Sequence, residues 1–436
     1  MDKTPIPRLL LKMAPPVMLA LLIQSIYNVV DSYFVARYSQ AGLTAVSIIY
    51  PIQLLMTAVG TGTGAGINIL ISRMDGTGET EKQHDIVRNG LWLGFFNALV
   101  FTVIGTLTLH GYYGISSNQE TVREAGIAYT QIVYLFSFGI FLESNLTKML
   151  QAKGDMTTPM LAQVAGALIN LVLDPIFIFG KFGLPAMGTA GAAIATVIGQ
   201  WLAMAVVLIG VIRKYQIRRG TFSLKLCLQI YKEGAASIIM QSLYTLYIVG
   251  LNLVLKMLTE DAVTVLGIYY KIQAFFFIPL MGLQQVILPI ISFNYGAKIY
   301  PRIKETLRYA VGISCTVMLI GLIVFMAVPD KLIGIFSREE EILKIGCGAF
   351  RTICCNFIPA GIVMMFVVYF QGIERRKESI FITVLRQIIL LVPLAWLLHF
   401  FGLSYVWLTF PITEVVAAIV SVYLYRKNKL NDTTGI

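Results

Sequence analysis

Residues 10–35 read LLKMAPPVMLALLIQSIYNVVDSYFV, an apolar run interrupted by very few charges. A helix needs about 20 mostly apolar residues to cross the hydrocarbon core of a bilayer, so this stretch is long enough to span a membrane. Its polar residues Gln24, Asn28 and Asp31 are four and then three residues apart, which places them on one face of a helix. The stretch therefore predicts a transmembrane helix with a single polar face.

Similar apolar runs continue along all 436 residues, of which 57% are hydrophobic and only 13% are charged. A soluble domain carries about twice that share of charge. The runs predict twelve spans, at about 10–35, 44–71, 88–109, 125–150, 160–180, 188–212, 233–257, 264–292, 307–328, 344–370, 380–400 and 403–425. We therefore predict an all-α membrane protein of twelve transmembrane helices.

This composition excludes most enzymes, because twelve spans leave no room for a soluble catalytic domain. No Walker motif is present, so we expect no ATP hydrolysis, and any pumping must use an ion gradient. Five cysteines without a CxxC pair and three scattered histidines predict neither a metal centre nor haem, and we expect no cofactor. The net charge of +11 lacks the basic stripe with aromatics that is typical of nucleic-acid binding.

The basic residues predict the orientation. About 25 of them, Lys148 and Arg386 included, fall at loops or span ends on one side of the predicted membrane, against about 7 on the other. Because cytoplasmic loops are enriched in Lys and Arg, both termini are predicted to be cytoplasmic.

An internal repeat appears at a constant offset of 220 residues. Thr44, Ile48, Tyr50 and Gln53 recur as Thr264, Ile268, Tyr270 and Gln273, and Arg88, Gly126 and Gln151 recur as Arg308, Gly346 and Gln371. Six spans per repeat give both halves the same orientation. We therefore predict two pseudo-symmetric six-helix bundles, residues 1–219 and 220–436, that face a central cavity and are joined by the basic connector after Arg213.

Asp31 and Asp174 are the acids whose position demands a reason, since an Asp at the centre of a span costs about 2.5–3.5 kcal/mol on insertion scales. Gln163, Asn170 and Asp174 form a second polar stripe in the fifth span. The two carboxyl groups could form one buried site for a proton or for a desolvated Na⁺. The alternative is that both acids only cap or bridge helices, as Asp174 precedes Pro175.

Other intramembrane features allow two interpretations. Glu143 lies five residues before Lys148, which fits an ion pair or an interfacial position at least as well as a function. Glu414 could contact substrate or hydrogen-bond another helix. The prolines of the first span permit a bend, and the run Gly60-Thr61-Gly62-Thr63-Gly64-Ala65-Gly66 favours close helix packing over flexibility.

Several segments resemble the multidrug and toxic compound extrusion (MATE) family: YNVVDSYFVARY, AKGDMTTPM, NLVLDPIFIFG and GTAGAAIATVIGQ in the first half, and SFNYGAK and YFQGIERRK in the second. The resemblance implies an inner-membrane antiporter that exports cationic lipophilic drugs against inward H⁺ or Na⁺ flow. It assigns cation coupling to Asp31, Tyr129, Asn170, Asp174 and Thr196, and a helix hinge to Pro16.

The remaining expectations concern the substrate and the partners. The candidate cavity residues are Gln24, Asn28, Gln163, Gln241 and Glu414. Gln241 stands where some branches of the family have an acid for ion coupling, which favours the first bundle as the coupling site. We expect a monomer that contacts small molecules and membrane lipids. The alternatives are a flippase for a lipid-linked precursor, whose anionic head group would call for several intramembrane bases, and a passive channel.

Overall fold

The computed structural model describes residues 4–215 and 220–428, and helices account for nearly all of them. The helices are α1 (Ile6–Tyr38), α2 (Gln40–Thr77), α3 (Thr80–Ser116), α4 (Glu120–Leu135), α5 (Phe138–Ala152), α6 (Thr157–Phe179), α7 (Gly188–Lys214), α8 (Leu224–Lys256), α9 (Glu260–Gly296), α10 (Tyr300–Ala327), α11 (Pro329–Gly334), α12 (Glu340–Ile353), α13 (Phe357–Gly372), α14 (Arg376–Val384), α15 (Leu391–Leu398), α16 (Leu403–Val406) and α17 (Thr409–Lys427).

Eleven of the described segments are long and apolar enough to cross a membrane, and α4 with α5 makes a twelfth if the bent pair is one span. Three of the eleven are composite: α12 with α13, α14 with α15, and α16 with α17. The twelve spans and the all-α membrane fold predicted from hydropathy are therefore confirmed.

The fourth span breaks at the same place in both repeats. Helices α4 and α5 meet at Phe136 and Ser137 with a bend of 47°. In the second half, α12 and α13 are separated by a short 3₁₀ turn at Cys354–Asn356, which overlaps the position 220 residues after Phe136. Shared breaks at the repeat offset support a duplication, because sequence identities alone are weak evidence in so apolar a chain.

Backbone conformation supports the duplication independently. Among the described residues, three non-glycine residues have a positive φ: Phe182 (57°), Lys298 (58°) and Glu374 (63°). Each is matched at the offset of 220 by a glycine that also has a positive φ: Gly402 (110°), Gly78 (80°) and Gly154 (77°). A positive φ thus recurs at the same three positions of both halves, with a glycine in one copy and another residue in the other.

The turn after α9 offers a test of what a positive φ costs a residue that is not glycine. A left-handed residue with a Cβ costs about 1–2 kcal/mol, and glycine's greater freedom in the unfolded chain offsets about 0.5–1 kcal/mol. Lys298 is exposed, so we expect Lys298→Gly to stabilise the protein by about 0.5–1 kcal/mol, measured by thermal unfolding in detergent. Lys298→Ala removes the same charge but keeps the Cβ. Equal stability of the two variants would contradict the assigned cost.

The glycine run of α2 makes the backbone contact that packing requires. A Cβ on Gly66 would lie 2.1 Å from the carbonyl oxygen of Ile230, and one on Gly62 would lie 2.8 Å from the backbone nitrogen of Ile238. A Cβ on Gly234 of α8 would in turn lie 2.2 Å from the Gly62 carbonyl oxygen. Small residues let two helices approach this closely, so the run serves packing, as the sequence favours.

The chain divides into two compact units, Met13–Ile238 (the N-terminal unit) and Met1–Lys12 with Ile239–Ile436 (the C-terminal unit). This division lies inside α8, whereas the sequence places the boundary at residues 219 and 220. The first half of α8 belongs with α2 because of the glycine contacts. The end of the connector also belongs there: Arg88 of α3 donates to the Gly220 carbonyl at 2.6 Å, and Asn89 donates to that of Thr221 at 2.7 Å.

Candidate functional site

Two acidic side chains meet inside the N-terminal unit. Asp174 of α6 is fully buried, Asp31 of α1 is half-buried, and their carboxyl groups lie within hydrogen-bonding reach of each other. Two carboxylates this close repel each other strongly in a medium of low dielectric constant unless a proton or a cation lies between them. The polar faces that the sequence predicts on the first and fifth spans thus meet, and their two acids share one site.

Asn170 joins this pair to helix α7. It lies one turn before Asp174 and donates from Nδ2 to Asp174 Oδ1 at 3.3 Å and to the Thr196 hydroxyl at 3.4 Å. With its amide turned over, Asn170 donates to Asp174 Oδ2 at 3.3 Å and accepts from the Thr196 backbone N–H at 3.1 Å. Either orientation links α6 to α7 at the level of the acids.

Tyr129 closes the site from α4. Its ring is buried, Gln53 of α2 donates to its hydroxyl at 3.2 Å, and it lies within electrostatic reach of both Asp31 and Asp174. The structure therefore brings together all five residues that the family resemblance assigns to cation coupling. Their carboxylate, amide and hydroxyl oxygens are the hard ligands that suit a proton or an alkali cation.

One oxygen of this site has no protein donor. Asp31 Oδ1 is buried and has no hydrogen-bond partner among the residues that the structure describes. A buried acceptor without a donor is costly, so it is usually compensated by water, a proton or an ion. A proton or a small cation bound at this atom would remove that cost.

A cavity of about 100 Å³ with both polar and apolar lining residues lies within the N-terminal unit and reaches the acids through Asn170. Its volume corresponds to about three water molecules and is below the roughly 300–1,000 Å³ of a drug-sized pocket. The polar residues that line it are Gln24, Tyr27, Glu143, Gln163, Asn170, Thr196 and Gln200. The cavity suits water or a small ion.

Glu143 belongs to this cavity, which the sequence did not indicate. Its carboxyl oxygen Oε1 accepts a hydrogen bond of 2.8 Å from the Thr147 hydroxyl. Lys148, counted with the cytoplasmic set from the sequence, is buried and donates to Gln151 Oε1 at 2.8 Å. Both residues lie in α5, but only the fold shows that Glu143 turns towards the cavity.

The other predicted residues fall in different places. Gln24 and Gln163 line the cavity, whereas Asn28 is an exposed residue of α1. Gln241 belongs to the C-terminal unit. Pro16 lies within α1, which is helical from Ile6 to Tyr38.

Glu414 forms an ion pair with Arg386, which the sequence places among the basic residues of the cytoplasmic side. Arg386 donates from Nε to Glu414 Oε1 at 2.5 Å, and their side chains are only 18% and 8% exposed. Arg386 is therefore largely enclosed within the C-terminal unit beside an acid, and is not a freely exposed residue of a cytoplasmic loop. It lies in a π-helical segment, Leu385–Leu390, a distortion often found at functional sites. Of the two interpretations of Glu414, a bond between helices is what the structure shows.

These features define a membrane transporter: apolar helices in a duplicated array and a buried, ion-sized polar site. A model of the MatE family matches residues 16–176 and 236–397. The chain belongs to this family of transporters, the multidrug and toxic compound extrusion proteins, which are not enzymes. The resemblance noted in the sequence is thereby confirmed.

Known relatives match over nearly the whole chain. An FAD transporter of Shewanella oneidensis is 24% identical over 97% of this chain and 95% of its own length. The multidrug export protein MepA of Staphylococcus aureus is 22% identical over 100% of this chain and 97% of its own length. A solved outward-facing multidrug resistance MATE transporter has a TM-score of 0.91 at 23% identity, covering 97% of this chain and 96% of that chain.

Proposed function

We propose that this protein is a secondary active antiporter that exports cationic amphiphilic compounds in exchange for inward-moving H⁺ or Na⁺. The observation that carries the proposal is the contact between the Asp31 and Asp174 carboxyl groups inside a membrane-spanning unit. Two acids in such a place are expensive unless they bind a cation in turn. Their surroundings, with Tyr129, Asn170 and Thr196, supply the oxygen atoms for it.

The mechanism is alternating access. The ion binds to Asp31 and Asp174 from outside, the N-terminal unit rearranges, the drug leaves outward, and release of the ion to the cytoplasm resets the protein. Pro16 gives α1 a place to bend, because proline lacks the N–H that would bond to the Lys12 carbonyl. A bend there would move Asp31 relative to α6. Ion and drug must select opposite states, since a ligand shifts an equilibrium only by its differential affinity.

The proposal also states the membrane in which the protein resides, its orientation and its oligomeric state. We propose that the protein is a monomer of the bacterial cytoplasmic membrane. The excess of Lys and Arg at one end of the helices supports an orientation with both termini in the cytoplasm. The name of the relative MepA supports multidrug export as the activity.

A second candidate substrate class is flavin nucleotides. One relative is named as an FAD transporter, and Arg386 places a guanidinium group inside the C-terminal unit. Guanidinium groups bind phosphate and carboxylate well. One arginine that already pairs with Glu414 is a weak anion site, so a cationic drug is the preferred substrate.

Proteoliposomes test the proposal directly. Purified protein is reconstituted, and uptake of ethidium or FAD is followed after a pH gradient, a Na⁺ gradient or neither is imposed. We expect ethidium uptake at least about tenfold above protein-free vesicles with one of the two gradients, and background uptake with none.

Each alternative gives a different result in the same vesicles. Equal ethidium flux with and without gradients would indicate a channel and contradict antiport. Gradient-driven FAD uptake without ethidium uptake would replace the cationic substrate by a flavin. Movement of neither solute, with lipid-linked precursor crossing the bilayer, would indicate the flippase.

A further inference from the structure

The cavity next to the acid pair extends along the helices in one direction. Asn170 and Gln163 both line it and are seven residues apart in α6, which is about 10 Å at 1.5 Å per residue. Because α6 starts at Thr157, Gln163 lies nearer than Asn170 to the loop that contains Lys153 and Asp155. In the proposed orientation, that loop lies in the cytoplasm. The cavity therefore leads from the acids towards the cytoplasmic end of the unit.

Glu143 is the one acidic side chain among the residues that line this cavity, which reaches the acid pair through Asn170. It lies on α5, which ends at Ala152 beside the same loop. Thr147 holds one of its oxygens at 2.8 Å, so the carboxyl group has a fixed position. Tyr27 of α1 also lines the cavity and lies within electrostatic reach of Asp31, Asp174 and Glu143. One tyrosine thus stands among all three carboxyl groups.

A buried cation follows Glu143 on the same helix. Lys148 lies within electrostatic reach of Glu143 and donates to Gln151 one turn further towards the loop. A neighbouring ammonium group opposes the binding of a second cation at Glu143. Lys148 therefore makes an ion at this carboxylate easier to release than it would be at a buried carboxylate without a neighbouring ammonium group.

We propose that Glu143 is the intermediate binding group through which the coupling ion passes from Asp31 and Asp174 to the cytoplasm. For a proton, an O–H bond at the Asp31–Asp174 pair breaks, water carries the proton across the cavity, and an O–H bond forms at Glu143. For Na⁺, the ion exchanges the aspartate oxygens for those of Glu143 and of the amides of Gln24 and Gln163. Loss of the ion to the cytoplasm then restores the carboxylate. The inference rests on the proposed antiport.

The variant Glu143→Gln tests whether Glu143 releases the coupling ion or takes part in binding it at the acid pair. We expect ethidium binding to purified protein, and its displacement by protons or Na⁺, to stay within about twofold of the wild type. The initial rate of gradient-driven uptake should fall at least about tenfold, because the ion still binds at the pair but leaves slowly. Pairs of vesicles with only a pH gradient or only a Na⁺ gradient identify which ion is delayed.

Two further variants serve as controls. Glu124→Gln removes an exposed carboxylate of α4 and should transport like the wild type. Glu143→Asp keeps a carboxylate and should recover part of the rate, which a merely structural defect would not. An unchanged rate for Glu143→Gln would overturn the inference, and so would loss of ethidium binding or of its displacement by the ion. Absence of gradient-driven uptake by the wild type would instead contradict the antiport itself.

Discussion

Asp174→Asn should reduce gradient-driven ethidium transport to the background of protein-free vesicles, a loss of at least about tenfold. Asp174 is fully buried and lies within hydrogen-bonding reach of Asp31. Because no solvent screens its carboxylate there, Asp174 must share a proton or a cation with Asp31. An amide has nearly the same shape and can keep the bond to Asn170, but it cannot carry the negative charge that binds a cation. Initial uptake rates in proteoliposomes measure the effect.

Binding measurements sharpen this prediction. If ion and drug select opposite states, each must weaken the other's binding by the same factor. Purified Asp174→Asn protein should therefore still bind ethidium, but the affinity should no longer depend on pH or on Na⁺. A variant that had only misfolded would lose ethidium binding altogether.

The same substitution elsewhere provides the control. Asp330→Asn removes an exposed carboxylate at α11 and should leave transport unchanged. Asp31→Asn should match Asp174→Asn, and the double variant should lose little more, because groups that act as one unit are not additive. Full ethidium efflux by both single variants, in normally inserted protein, would show that the coupling site lies elsewhere.

Much of this site could be read from the sequence because helices impose a period. Gln163, Asn170 and Asp174 recur on one face, and a polar face in an apolar span must turn towards protein or water. Tyr129 and Thr196 came only from the family resemblance, since nothing in their own surroundings marks them. The twelve spans were also accessible, because hydropathy reports burial in lipid directly.

The side chains that the sequence positions least well are those whose environment depends on a distant partner. Arg386 lies close enough to the end of its predicted span to be taken for a cytoplasmic residue, and only the packing of α17 against its segment shows Glu414 beside it. The sequence shows only that Glu143 lies near Lys148, whereas the fold turns Glu143 to the cavity between helices. Long-range contacts of this kind leave no period in the sequence.

The repeat also carries information on backbone conformation. The offset of 220 aligns Lys298 with Gly78 and Glu374 with Gly154, and a glycine at a helix end commonly adopts a positive φ. The repeat alone could therefore have predicted the conformation of both loops in the second half.

Breaking the Arg386–Glu414 pair should destabilise the C-terminal unit strongly. Arg386→Met leaves the Glu414 carboxylate buried without its partner, and Glu414→Leu leaves the guanidinium group in the same position. Each single variant should lose about 3–5 kcal/mol, the usual cost of removing one member of a buried ion pair. Unfolding in detergent, followed by size exclusion after heating or by denaturant titration, measures the loss.

The double variant Arg386→Met with Glu414→Leu distinguishes a structural role of the pair from a role in transport. Replacing both members by apolar residues is often neutral or stabilising, so the double variant should recover to within about 1 kcal/mol of the wild type. A double variant as unstable as the single ones would contradict a self-contained pair.

The transport activity of the double variant separates the two interpretations of Glu414. A stable double variant that still exports ethidium means that the pair only joins the π-helical segment to α17. A stable one that no longer exports means that the charges, and not the fold they support, take part in the cycle.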